Sequence, residues 1–168
     1  KFRILDSTDP EQVASITINN PIDKTIFIVA SKSGTTGEIN AFLNYFWDQV
    51  KTIRPDGPGK QFIAITDPGT RLAKLAEERG FRAVFLADPL VGGRNSALTA
   101  FGIVPAAVMG INLEKFIHQA VNMAEECKQE KTLQSNPGFV LGAIIGTAAR
   151  VGRNKLTLLT NSEWCSFG

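Results

Sequence analysis

Histidine occurs once in this 168-residue chain and cysteine twice; His118 stands alone, and Cys127 and Cys165 lie far apart without metal-like spacing. No ligand cluster points to a bound metal or other cofactor, and free thiols in a reducing compartment are the simplest account of the cysteines. Cys127 falls on an apolar helical stripe and reads as a small buried hydrophobe. An excess of either charge is also missing. The formal charge is +2 and the 18 lysines and arginines are scattered, which argues against nucleic acid as the main partner. Long hydrophobic runs are absent too: the richest stretches, around 101–111 and 138–149, are short and contain glycine or proline, so no membrane span is expected. With no signal peptide at the start, the expected location is cytoplasmic. There is no internal repeat, low-complexity segment or long linker. The apolar and charged fractions, 43% and 20%, are those of an ordinary soluble domain, and residues 1–168 are read as one.

Five strand-like segments are present: 2–5, 25–30, 61–66, 83–87 and 155–160. Most are short continuous apolar runs, the pattern of strands covered on both faces. Helices are predicted between most of them. One begins at Gly37 and carries Ile39, Phe42, Leu43, Phe46, Trp47 and Val50 on a single face. Another spans 70–79 after the turn Asp67-Pro68-Gly69, turns Leu72, Leu75 and Ala76 inward, and stops at Gly80. A helical segment from about Ser96 should be kinked or broken by Gly102 and Pro105. A further helix runs from Leu113 to about Glu130, with Phe116, Ile117, Ala120 and Val121 on its stripe. The last starts at Asn136-Pro137 and continues to Arg150. Strand alternating with helix predicts a three-layer, doubly wound, mainly parallel five-stranded sheet, an α/β fold.

The run Ser31-Lys32-Ser33-Gly34-Thr35-Thr36 stands between the 25–30 strand and the helix starting at Gly37. Amide groups at a helix N-terminus lack intrahelical partners and sit at the positive end of the dipole, so an anion there is both hydrogen-bonded and electrostatically favoured. Hydroxyls in the loop add neutral donors, and Gly34 permits a tight turn. The loop lacks the Gly-Lys-Ser/Thr ending of a Walker motif, which points to a compact monophosphate rather than a nucleoside triphosphate. The alternative is that the loop merely caps the helix.

A second segment, Gly92-Gly93-Arg94-Asn95-Ser96, follows the 83–87 strand. Glycines let the main chain approach a ligand, and arginine offers a planar fork of donors to phosphate, carboxylate or a developing oxyanion. The alternative is a tight turn with a solvated arginine, with Asn95 or Ser96 capping the next helix. Elsewhere, His118 lies beside its helical stripe and reads as partly exposed. Glu38 should point away from any phosphate, Asp67 and Asp88 read as turn residues, and Trp47 reads as core.

Together the two loops resemble the sugar isomerase family, and within it the phosphoglucose isomerases. Ser31 to Thr36 is similar to the family's phosphate loop, and Gly92 to Ser96 to its Gly-Gly-Arg-x-Ser segment. The run from Ser96 to Ala107, with Asn136-Pro137-Gly138 and 155–160, is similar to the form fused behind a transaldolase. The resemblance covers nearly the whole chain. It implies a flavodoxin-like domain that binds phosphorylated sugars, glucose 6-phosphate and fructose 6-phosphate, and helps interconvert them in a homodimeric parent enzyme without metal or cofactor. It further implies that the hydroxyls of Ser31, Ser33 and Thr36 and the amide of Lys32 bind the phosphate, that Thr35 lines the loop, that Gly93 lies near the reacting carbons, and that Arg94 stabilises the enediolate.

The family's base is a glutamate in a Glu-Ser-x-Gly-Lys type segment, which this sequence lacks, and His118 has different surroundings from the family's histidine. The chain starts with lysine, and the family's preceding Gly-Gly-Ser loop is missing before Lys1; only residues 161–168 follow the last strand. The expectation is a piece of a first sugar isomerase domain cut at both ends, with little or no turnover of its own. Two rivals stand: a non-catalytic sugar-phosphate sensor, in which binding shifts an equilibrium without chemistry, and an isomerase of another phosphosugar, such as mannose 6-phosphate or an amino sugar.

Overall fold

Apolar runs become strands in this chain where a neighbour completes their hydrogen bonds. The computed structural model describes residues 1–128 and 130–159. In it β1 (Phe27–Ala30), β2 (Phe62–Thr66) and β3 (Ala83–Leu86) form a parallel sheet in that order. The first pair runs from Phe27 opposite Phe62 to Ala30 opposite Ile65, and the second from Ile63 opposite Ala83 to Thr66 opposite Leu86. The helix α1 (Pro10–Asn19) precedes the sheet, α2 (Gly37–Ile53) and α3 (Arg71–Glu78) make the two crossovers, and α4 (Ala100–Val108), α5 (Leu113–Glu126) and α6 (Pro137–Arg150) follow. No helix among the described residues is long and apolar enough to cross a membrane.

Because the strands are ordered as they occur in the chain, both crossovers step the same way, and crossovers of one hand place their helices on one face. The core bears this out: Leu43, Phe46 and Val50 of α2 and Leu72 and Ala76 of α3 close over Val29, Phe62 and Ala64. Ile39, Phe42 and Trp47 flank that core, so the stripe expected from spacing is the buried one. Phe62 is fully buried, with ring centroids of Phe27, Phe81 and Trp47 at 5.2, 5.3 and 5.4 Å. Burying side chains of this size contributes roughly 1.5–3 kcal/mol each. Gln61 is buried beneath the sheet's start and donates to the carbonyls of Ile22 and Thr25, pinning the turn before β1 to β2.

Several expectations are corrected. Three strands, not five, are present among the described residues. Residues 2–5 form no ladder; Leu5 packs against the core all the same, because burial needs only a neighbouring apolar surface whereas a strand needs a free edge in register. Residues 155–159 are also without strand structure, with Leu156, Leu158 and Leu159 exposed, and Thr160 lies outside the described residues. The helix expected from Ser96 is instead a 3-10 turn over Gly93–Leu98, after which Thr99 is extended and caps α4. That helix runs through Gly102 and Pro105 unbroken. Pro105 is its sixth residue and forfeits only the bond to the Phe101 carbonyl. Gly102 is required because a Cβ there would collide with the Ala97 main chain.

By contacts the chain divides into two compact units, one from Lys1 to Leu113 and the other from Glu114 onward. In the second unit, Asn136 is buried, donates to the Lys128 carbonyl at 3.0 Å, and accepts from the Phe139 amide at 3.1 Å as the cap of α6. The stripe on α5 is not a buried one: Ile117 and Val121 are exposed. Cys127, expected in a core, is exposed with its Sγ 3.9 Å from Met123 Sδ, and Cys165 lies outside the described residues.

Candidate functional site

The sheet continues one residue past β1, where the Ser31 amide donates to the Ile65 carbonyl at 3.0 Å. The chain then leaves the sheet edge and turns through Gly34 (φ +68°) into α2. Two hydroxyl pairs shape the turn. Ser31 Oγ and Thr36 Oγ1, 3.0 Å apart, close its base, and the Gly34 amide donates to Ser31 Oγ at 3.2 Å. At the exposed tip, Ser33 Oγ and Thr35 Oγ1 are 3.0 Å apart, and the Thr35 amide donates to Ser33 Oγ at 3.3 Å.

Whether these hydroxyls merely cap the helix can be read directly. Helices α1, α3, α4 and α6 each have an N-cap side chain accepting from an early amide, through Asp9, Thr70, Thr99 and Asn136. Thr36, the N-cap of α2, makes no such bond, its hydroxyl being paired with Ser31 instead. The first amides of α2 are thus left without a side-chain acceptor among the described residues, at the positive end of a 17-residue helix. Glu38 is exposed, and no hydrogen bond joins it to the loop.

The loop is held from below by β2 and α3. The Lys32 carbonyl accepts from the Asp67 amide at 3.3 Å and lies 3.4 Å from Thr66 Oγ1, which is paired with Thr70 Oγ1 at 2.8 Å. The Lys32 ammonium is 2.6 Å from Asp67 Oδ2 and points toward the carbonyls of Asp88 and Pro89, at 3.3 and 3.4 Å. Asp67, expected only to form a turn, is therefore an ion-pair partner. Asp88 does form a turn, its Oδ1 accepting from the Leu90 amide at 2.9 Å.

After β3, Gly93 and Arg94 open the 3-10 turn, with Asn95 donating to the Gly92 carbonyl at 2.9 Å and Ser96 Oγ to that of Gly93 at 2.7 Å. Neither Asn95 nor Ser96 caps α4; Thr99 does. Arg94 is exposed, and its guanidinium has no ion-pair or hydrogen-bond partner among the described residues. The strands are parallel, so both loops leave the same edge, and the Lys32 contacts to Asp88 and Pro89 join the two. Ligands of open α/β sheets bind outside this edge, at the carboxyl ends of the strands. His118, as expected, is exposed and stands away from both loops in sequence, with Asn122 as its neighbour at 3.2 Å. Thr66, Asp67 and Thr70 are the supporting residues that sequence reasoning missed. Only the turn signal of Asp67-Pro68-Gly69 marked their place.

Residues 1–151 match the family model described as phosphoglucose isomerase. Among curated relatives, the glucose-6-phosphate isomerase of Carboxydothermus hydrogenoformans is 37% identical over 168 residues, covering 97% of this chain and 35% of that protein. The chloroplastic glucose-6-phosphate isomerase 1 of Arabidopsis thaliana is 33% identical, covering 84% of this chain and 23% of its own length. Among solved structures, a hypothetical protein of Thermus thermophilus aligns with a TM-score of 0.82 at 28% identity, covering 89% of this chain and 36% of that one. A glucose-6-phosphate isomerase from Chlamydia trachomatis aligns with a TM-score of 0.69 at 26% identity, over 84% of this chain and 27% of that one. The chain spans about a third or less of the length of these relatives.

Proposed function

The chain belongs to the phosphoglucose isomerase family, and from that premise we propose that it is the phosphosugar-binding domain of an enzyme interconverting glucose 6-phosphate and fructose 6-phosphate. In this reading the phosphate sits on the open N-terminus of α2. Ser31, Ser33 and Thr36 turn their hydroxyls to it, Lys32 offers its backbone amide, and Thr35 lines the loop. Gly93 brings the main chain close to the reacting carbons. Arg94, with its guanidinium unengaged, faces the enediolate and stabilises the negative charge that develops as a proton moves between C1 and C2. The base for that proton and the acid that assists ring opening come from elsewhere in the parent enzyme, because the family's glutamate segment is absent from this sequence. The isolated chain accordingly binds with little or no turnover. The parent acts as a cytoplasmic homodimer of the form fused to transaldolase, with no nucleic acid or membrane as partner.

The observation that carries this reading is the uncapped start of α2 beneath a hydroxyl loop, in a chain where α1, α3, α4 and α6 each use the N-cap side chain on the helix itself. A calorimetric or NMR titration with 6-phosphogluconate, an isomerase ligand mimic, tests it alongside Ser33→Ala and Arg94→Ala. Binding by wild type that is lost in both variants supports one site built from both loops. A folded wild type that does not bind would count against it.

A further inference from the structure

A lysine inside a phosphate loop is ordinarily read as a cation for the phosphate, and the geometry of Lys32 points elsewhere. An ammonium has three protons to donate. Here three acceptors surround it: Asp67 Oδ2 at 2.6 Å, the Asp88 carbonyl at 3.3 Å and the Pro89 carbonyl at 3.4 Å. These belong to the segments that follow β2 and β3, while Lys32 itself follows β1. Neighbouring strands lie about 4.8 Å apart, so the side chain together with its hydrogen bonds bridges two strand spacings of sheet edge. Its far end meets the start of the connection that leads to Gly93 and Arg94. That connection has a turn of its own, closed by Leu90 donating to Asp88 Oδ1 and Val91 to the Asp88 carbonyl, and apart from that turn it carries no helix or strand.

We propose that the Lys32 side chain is a positioning residue that ties the 88–92 connection, which leads into the 3-10 turn carrying Arg94, to the hydroxyl loop, setting where Arg94 stands relative to a bound phosphate. The inference rests on the phosphosugar reading for its consequence, though not for its geometry. Asp67 makes the tie firm: its other oxygen, Oδ1, is buried without a hydrogen-bond partner among the described residues, and Lys32 is the one cation paired with this carboxylate among them. Losing the ammonium frees the connection while leaving the backbone amide of Lys32 in the loop. Arg94 then samples many positions and its contribution to sugar binding disappears, whereas a bare phosphate, which needs only the loop, is held almost as before.

The test compares inorganic phosphate and 6-phosphogluconate as probes of wild type, Arg94→Ala, Lys32→Met and the double variant, by NMR titration. In wild type, Arg94→Ala is expected to weaken 6-phosphogluconate by about tenfold or more; in the Lys32→Met background the same change should cost less than about threefold. Phosphate affinity should fall less than about threefold in Lys32→Met. Two results overturn the proposal: an Arg94 effect undiminished in the Lys32→Met background, or phosphate affinity falling as far as sugar-phosphate affinity, which would make Lys32 a direct ligand. Amide exchange of Leu90 and Val91 without ligand provides the arm that is independent of binding. Exchange about tenfold faster in Lys32→Met supports the tie, and unchanged exchange overturns it, even if wild type binds neither probe and the phosphosugar reading itself fails. Should Lys32→Met not fold, Asp67→Asn takes its place, keeping the shape while removing the charge, with the same pattern expected.

Discussion

Gly34 lies against the first turn of α3: a Cβ on Gly34 would stand 2.9 Å from the Leu72 amide nitrogen and 3.0 Å from Thr70 Cβ, at a φ of +68°. Both the backbone conformation and the close approach therefore select glycine at the turn of the hydroxyl loop. The loop's shape is set by α3 as much as by its own sequence, since Leu72 anchors that helix in the core.

Gly34→Ala should shift the loop, costing about 1–3 kcal/mol for the left-handed backbone alone. Thermal unfolding should fall accordingly, and 6-phosphogluconate affinity should drop about tenfold or more as the hydroxyl pairs separate. Gly37→Ala is the contrast, with nothing within 4 Å of an added Cβ and ordinary helical backbone. It should be neutral or stabilising by up to about 1 kcal/mol.

Arg94→Ala should separate binding from stability. Arg94 is exposed with no described partner, so unfolding should move by no more than about 0.5 kcal/mol. A charged hydrogen bond to a ligand contributes about 1.5–3 kcal/mol, and titration with 6-phosphogluconate should show that loss. A variant whose unfolding temperature falls in step with its affinity would contradict this division.

Phe62→Ala should be among the most destabilising single changes. The ring is fully buried and touches Phe27, Trp47 and Phe81, and its truncation should cost about 3–5 kcal/mol in denaturant unfolding. Leu90→Ala, at a site 92% exposed, should stay within about 0.5 kcal/mol.

Asn136→Ala should act locally on the second unit. It removes the cap of α6 and the tie to Lys128, a loss of about 0.5–2 kcal/mol for the cap. Faster hydrogen exchange at the Phe139 amide is the expected signature.

The sequence by itself determined what short-range pattern can encode. The apolar stripe of α2 appeared at the spacing that the core uses, Gly80 (φ +62°) follows α3 as a helix stop, and Asn136-Pro137 starts α6 as the dipeptide implied. The hydroxyl loop and the Gly-Gly-Arg segment were visible for the same reason: each is contiguous. Tertiary structure decided what depends on partners remote in the chain. Residues 2–5 have strand-like composition, yet no edge pairs with them. Thr36 has the side chain of a good cap, but its hydroxyl went to Ser31. Lys32 carries a charge that suits phosphate, and the fold spent it on Asp67, 35 residues away. Periodicity records which face of an element meets the core, while a hydroxyl or an ammonium goes to whichever acceptor the packed sheet brings within 3 Å, and no local pattern specifies that choice.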